Sequence, residues 1–155
     1  MSTHEAPDLI TCTVGDATFG LPIDCVQEIN RCVSVTQVPR TSPEIRGLVN
    51  LRGSLVTILD VAMIVEGRRT EISRSTRSVI VEFEDERYGL LVDAVGDVVS
   101  TRDREIEPLP PHTSPQRARW STGLLQHDDD VLLVLDIQAV LTPRDEESLS
   151  ATVTA

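Results

Sequence analysis

The stretch Phe19-Gly20-Leu21-Pro22-Ile23-Asp24-Cys25-Val26-Gln27-Glu28-Ile29 decides the fold, because it recurs without a gap as Tyr88-Gly89-Leu90-Leu91-Val92-Asp93-Ala94-Val95-Gly96-Asp97-Val98. An aromatic-glycine pair, an apolar run, an aspartate and a second apolar run return at a spacing of about seventy residues, the mark of an internal repeat. A second block behaves the same way. Gly47-Leu48-Val49-Asn50-Leu51-Arg52-Gly53-Ser54, followed by the apolar run up to Asp60-Val61, matches Gly123-Leu124-Leu125-Gln126-His127-Asp128-Asp129-Asp130, followed by the run up to Asp136-Ile137. Positions that agree between the halves serve the shared architecture, and positions that differ are free to serve a partner. Arg52 is of the second kind, since its counterpart is Asp128.

Between these anchors, short Val/Ile/Leu-rich runs are punctuated by Gly15-Asp16, Arg52-Gly53-Ser54, Glu84-Asp85-Glu86 and Asp128-Asp129-Asp130, the pattern of strands joined by tight hairpins. Leu9, Thr11 and Thr13 alternate with Ile10, Cys12 and Val14, which predicts a strand with one buried face, whereas Val79-Ile80-Val81 and Val131 to Leu135 read as buried on both. The aromatics are only Phe19, Phe83, Tyr88 and Trp120, and valine occurs 19 times, so the core is aliphatic and strand-forming. Each half carries about five strands, too few to cover a flat sheet but enough to curl into a small barrel without edges. The expected fold is therefore all-β with a few short helices: two five-stranded barrel lobes side by side, intertwined in one domain over residues 8–141. A flexible arm (1–7) and a disordered acidic tail (142–155) flank it. Ser42-Pro43-Glu44 predicts the N-terminus of a short helix, and Asp60 and Asp136 are placed to cap one-turn helices at 61–65 and 137–141. The proline-rich stretch from Pro108 to Pro115 reads as a connecting loop.

Composition removes several functions. The 155 residues hold 25 acidic side chains against 14 basic ones, a net charge of -11, which repels nucleic acid and anionic lipid. All the basic residues are arginine, so there is no lysine for a Schiff base or a phosphate loop. Cys12, Cys25 and Cys32 lack CxxC spacing and sit in apolar runs, as buried thiols of a reducing compartment do. No uncharged run approaches the roughly 18 residues of a membrane span, and the polar N-terminus lacks a signal-peptide pattern, so a cytoplasmic protein is expected.

Candidate chemistry is thin. Asp24 pairs with Asp93 and Asp60 with Asp136 across the repeat, each just after an apolar run, where aspartate caps a turn or a helix. The three consecutive aspartates beside His127 point in different directions from a hairpin and lack the pattern of a calcium loop. His4, His112 and His127 lie in the arm, a loop and a turn, so none is set to act with a nucleophile. Trp120 serves either as core filler or as an interface anchor. No cofactor or metal site is expected. What remains is a set suited to protein contact: Arg46, Arg52 and Glu28 with the apolar Val26 and Val98.

At this point the residues resemble the CheW-like domains of chemotaxis coupling proteins. The likeness rests on Phe19 to Ile29, on Ile45-Arg46-Gly47-Leu48-Val49-Asn50-Leu51-Arg52-Gly53, on Tyr88 to Val98, on Thr122-Gly123-Leu124 and on Leu132-Leu133-Val134-Leu135-Asp136-Ile137, in family order over roughly residues 8 to 141. The resemblance implies two five-stranded SH3-like barrels. It also implies a non-enzymatic adaptor that links the cytoplasmic tip of a methyl-accepting chemoreceptor to the regulatory domain of the histidine kinase CheA. By the same resemblance the receptor hairpin docks between the lobes, with Arg52 of Asn50-Leu51-Arg52-Gly53, Val26, Gly47 and Val98 as contact positions, Val26 and Val98 flooring an apolar groove. Gln27, Glu28 and Ile29 are the candidates for kinase contact. The chain departs from the family pattern at Asp60-Val61-Ala62, where an arginine is frequent after the aspartate, at the loop 108–115 and at the acidic turn 128–130, which bears on partner identity more than on fold. With no receiver or kinase domain in its 155 residues, a stand-alone adaptor is expected. A CheW-like module of another signalling pathway, such as surface motility, or a competing decoy, is the alternative.

Overall fold

The computed structural model describes residues 7–31, 42–102, 104–127 and 130–141. The expected arm, apart from Pro7, the expected tail, Cys32 and the turn at Asp128-Asp129 lie outside them. Ten strands follow in order: β1 (Leu9–Val14), β2 (Ala17–Pro22), β3 (Val26–Arg31), β4 (Ile45–Leu51), β5 (Ser54–Asp60), β6 (Arg77–Phe83), β7 (Glu86–Val92), β8 (Ala94–Val99), β9 (Ser121–His127) and β10 (Asp130–Leu135). Two short helices, α1 (Val61–Glu66) and α2 (Pro115–Trp120), and a helical turn over residues 137–141 complete the fold.

The strands form two five-stranded sheets, ordered β8-β1-β2-β10-β9 and β3-β6-β7-β5-β4. Shifting every strand by five, so that β1 becomes β6 and β5 becomes β10, turns one order into the other. The repeat is thus a structural duplication, down to the two parallel pairs, β2 with β10 and β5 with β7. The structure corrects the barrel expectation in one respect. The sheets are open, with β8 and β9 at the edges of one and β3 and β4 at the edges of the other, so the lobes are curled sheets and not closed barrels. Neither half builds its own lobe. The first hairpin of each half joins the sheet completed by the other half, because the chain crosses between sheets after β2 and again after β7. The repeated aspartates stand at those crossings: Asp24 in a 3-10 turn (Ile23–Cys25), and Asp93 accepting from Gly15 N at 2.7 Å.

Three apolar clusters follow from this exchange. Leu9, Val99, Leu125, Leu132 and Val134 fill the first lobe, and Val56, Ile58, Ile80 and Leu91 fill the second. The largest cluster lies between them, where Cys12, Phe19 and Leu21 meet Leu59, Val81 and Leu90 under α1, Trp120 and the 137–141 turn. A sheet with two apolar faces needs a long apolar run, which accounts for Val79-Ile80-Val81, buried throughout. The matching expectation for residues 131–135 fails in part: Val131 is exposed and Leu133 only half-buried. The repeated glycines have a packing cause. A Cβ on Gly20 would come within 3.0 Å of Leu9 and Leu132, and one on Gly89 within 2.4 Å of Ile58, so each lobe closes over a residue without a side chain.

The aspartate caps are as expected. Asp60 accepts from Met63 N at the start of α1, and Asp136 from Ala139 N in the last helical turn. Ser42-Pro43-Glu44 does not start a helix: Ile45 N donates to Ser42 O across a turn, and β4 begins at once. The same Ser-Pro signal at Ser114-Pro115 does start one, with Ser114 capping Arg117 N, in what the sequence suggested was plain loop. That helix ends at Trp120, which is core.

Candidate functional site

The β4–β5 hairpin positions the most distinctive side chains, and each of its ends has a local reason. At the open end the register slips between Ile45 and Gly47, leaving Arg46 as the extra residue of a bulge. Gly47 sits there at φ 144, a backbone state that favours glycine. The bulge turns Arg46 towards Asp60, with Nη1 to Oδ2 at 2.8 Å and Nη1 to Thr70 O at 3.0 Å. Asp60 is fully buried, and Thr70 also serves it, through N at 2.9 Å and Oγ1 at 2.7 Å. With the α1 cap included, every carboxylate oxygen of Asp60 is engaged. This removes Arg46 from the expected surface patch and makes Asp60 an anchor of the fold. Thr70 escaped notice in the sequence because nothing in its surroundings marks a partner ten residues upstream.

At the closed end, Leu51 pairs with Ser54 around the two-residue turn Arg52-Gly53. Both residues have positive φ, 55 and 87, as the hairpin twist demands, and Asn50 Oδ1 accepts from Gly53 N at 2.9 Å. Asparagine is the favoured first residue of such a turn; arginine there costs about 1 to 2 kcal/mol of backbone strain. The side chain gains little by it, being 73% exposed with one polar contact among the described residues, Nη1 to Glu28 Oε2 at 2.7 Å.

Glu28 lies on β3, the opposite edge of the same sheet. Its pair with Arg52 spans a cleft of about 360 Å3 between the two edges, lined by Asn30, Val49, Leu51, Ile58 and Ile80 among others. The sequence candidates therefore divide. Arg52, Asn50 and Glu28 come together at this cleft. Val26 and Val98 do not line it and lie on outer strands of different sheets, Val26 half-buried against the central cluster and Val98 51% exposed. Gly47 is buried in the bulge, while Gln27 and Ile29 are exposed on β3, Gln27 bonded to Glu82.

A larger cleft, about 780 Å3, opens in the first lobe beside His112, Arg117, Thr18 and Leu133. It holds none of the sequence candidates. Among the described residues no group of three or more His, Cys, Asp or Glu side chains is placed to hold a metal ion, and no helix is long and apolar enough to cross a membrane. Burial pushes the Cys12 thiol up to about 12 and raises that of Cys25 too, with the Asp24 carboxylate adding to the latter. Thiols so disposed are poor nucleophiles.

Comparison with known proteins agrees with this arrangement. The CheW-like domain family matches residues 8–144. The chain is 27% identical over 146 residues to the chemotaxis protein CheW of Rhizobium meliloti, covering 94% of each, and 27% identical over 140 residues to that of Bacillus subtilis, covering 90% of each. Its fold is similar to the crystal structure of the scaffolding protein TtCheW from Thermoanaerobacter tengcongensis, with a TM-score of 0.79 and 28% identity over 88% of this chain and 93% of that one.

Proposed function

This chain belongs to the family of CheW-like domains, and on that premise we propose that it is a non-enzymatic chemotaxis coupling adaptor, holding methyl-accepting chemoreceptors and the histidine kinase CheA in one signalling assembly. The observation that carries the reading is the family match over nearly the whole folded chain, joined to relatives named chemotaxis protein CheW that are covered almost end to end. Its place of work is the cytoplasm, at the membrane-attached receptors.

Within that function, Arg52 and Asn50 address the cytoplasmic tip of the receptor, with Val26 and Val98 as apolar contacts and Gly47 acting through the bulge that shapes the hairpin. An exposed guanidinium held at a fixed point is suited to the carboxylates and helix-end carbonyls of a helical hairpin. Gln27 and Ile29, exposed on an edge strand, address the regulatory domain of the kinase, and Glu28 connects the two surfaces by holding Arg52. Isothermal calorimetry of the purified protein against a receptor-tip fragment and against the kinase regulatory domain tests this. Binding to both is expected, and binding to neither would remove the coupling function while leaving the fold as described.

A further inference from the structure

Although the chain carries a net charge of -11, one corner of its second lobe is basic. Arg31 ends β3, Arg77 begins β6, and the two stand directly opposite each other in the ladder. Like charges so placed repel. Arg74, just before β6, lines a cleft of about 410 Å3 together with Arg31, Ser73 and Thr76. The loop is tied in place: Arg77 Nη1 donates to the carbonyls of Arg74 at 2.7 Å and Thr76 at 2.9 Å, and Ser73 N donates to Thr76 Oγ1 at 2.8 Å.

None of these three guanidinium groups pairs with a carboxylate among the described residues, where the ion pairs use Arg46, Arg52 and Arg68. Among the described residues, three clustered arginines of an acidic chain are thus left without an ion-pair partner.

We infer that this corner docks an acidic, extended segment of a partner protein. Guanidinium groups bind carboxylates in a planar, two-point geometry, and three of them match a short run of Asp or Glu. Among the described residues β3 is an edge strand, with no ladder partner on its outer side, and an extended segment can lie along such an edge. Arg31 also lines the neighbouring cleft beneath Arg52, so the basic corner continues into that groove. A short peptide senses charge within about 10 Å, whereas a nucleic acid spans the acidic remainder of the surface and is repelled by it.

Fluorescence anisotropy of labelled hexaglutamate with the full chain tests the assignment, at low salt and at about 0.3 M salt. The wild type is expected to bind at low salt and to weaken with salt. An Arg31→Gln/Arg74→Gln double variant is expected to lose at least tenfold in affinity, while Arg102→Gln, at an exposed arginine after β8, binds as the wild type does. The urea midpoint of the double variant, expected to be unchanged or higher, separates lost binding from lost folding. Failure of hexaglutamate to bind, equal loss in both variants, or displacement by inorganic phosphate or oligothymidylate at the same concentration as by unlabelled peptide would each overturn it.

Discussion

Glu28 on β3 and Arg52 in the turn that ends β4 belong to opposite edges of one five-stranded sheet, yet their side chains meet at 2.7 Å. The sheet therefore curls until its edges face each other, and a side-chain pair stands where a closed barrel would have backbone hydrogen bonds. Exposed on the arginine side, the pair contributes no more than about 1 kcal/mol to stability. Its value lies in fixing a guanidinium at the rim of the cleft.

That division between strain and use can be measured with Arg52→Asn. Asparagine accepts the left-handed backbone of the first turn position more readily than arginine, so the melting temperature is expected to hold or rise. Affinity for a receptor-tip fragment is expected to fall by about 1 to 3 kcal/mol, the range for a charge-assisted interface bond. A variant that melts earlier and binds as before would assign Arg52 to the fold instead.

Asp60 should behave in the opposite way. Replacing it with alanine strips the cap from α1 and leaves Arg46 without its counter-charge in a largely buried setting, a loss of about 3 to 5 kcal/mol. Arg46→Met/Asp60→Ala is expected to be less damaging than the two single changes added together, since the second removes a charge already orphaned by the first. Urea unfolding of the four proteins gives the coupling directly, and additive losses would contradict the buried pair.

The repeat is legible in the sequence because it is written in residues whose purpose is local: a glycine under a packed leucine or isoleucine, an aspartate at a crossing or a helix start. The exchange of hairpins is not, because strand patterning states which face is buried and is silent about which sheet covers it. Ser42-Pro43 and Ser114-Pro115 carry the same helix-start signal, and only the second has Gln116 to Trp120 behind it, ending in a tryptophan that the central cluster can bury. The site shows the same limit. Arg52 stands out by differing from Asp128, but its pairing with Glu28 and the capture of Arg46 by Asp60 depend on the curl of the sheet and on a bulge, neither of which has a signature in composition or spacing.

The two repeated glycines offer a test of lobe packing. Gly89→Ala places a methyl group 2.4 Å from Ile58 Cδ1, and overpacking of this kind costs about 1 to 3 kcal/mol. The obstructing atom is the tip of a side chain, so Ile58→Val in the same protein should recover much of the loss. If denaturant midpoints show Gly89→Ala to be neutral, or the second change to worsen it, close packing is not why the glycine recurs.

The Cys12 thiol links stability to alkaline pH. Its folded pKa, near 12 through burial, lies above the ordinary 9.0, so the native state keeps a proton that the unfolded chain releases. Stability from this group is therefore complete below pH 9.0 and is lost as pH rises from there towards about 12, at about 1.4 kcal/mol per pH unit. Guanidinium unfolding at pH 8, 9, 10 and 10.5 is expected to show that extra slope in the wild type but not in Cys12→Ala, which starts lower because of the cavity it creates. Parallel slopes in the two proteins would mean that the thiol is not held protonated between the lobes, and rapid alkylation of Cys12 by iodoacetamide in the native protein at pH 8 would say the same by an independent route.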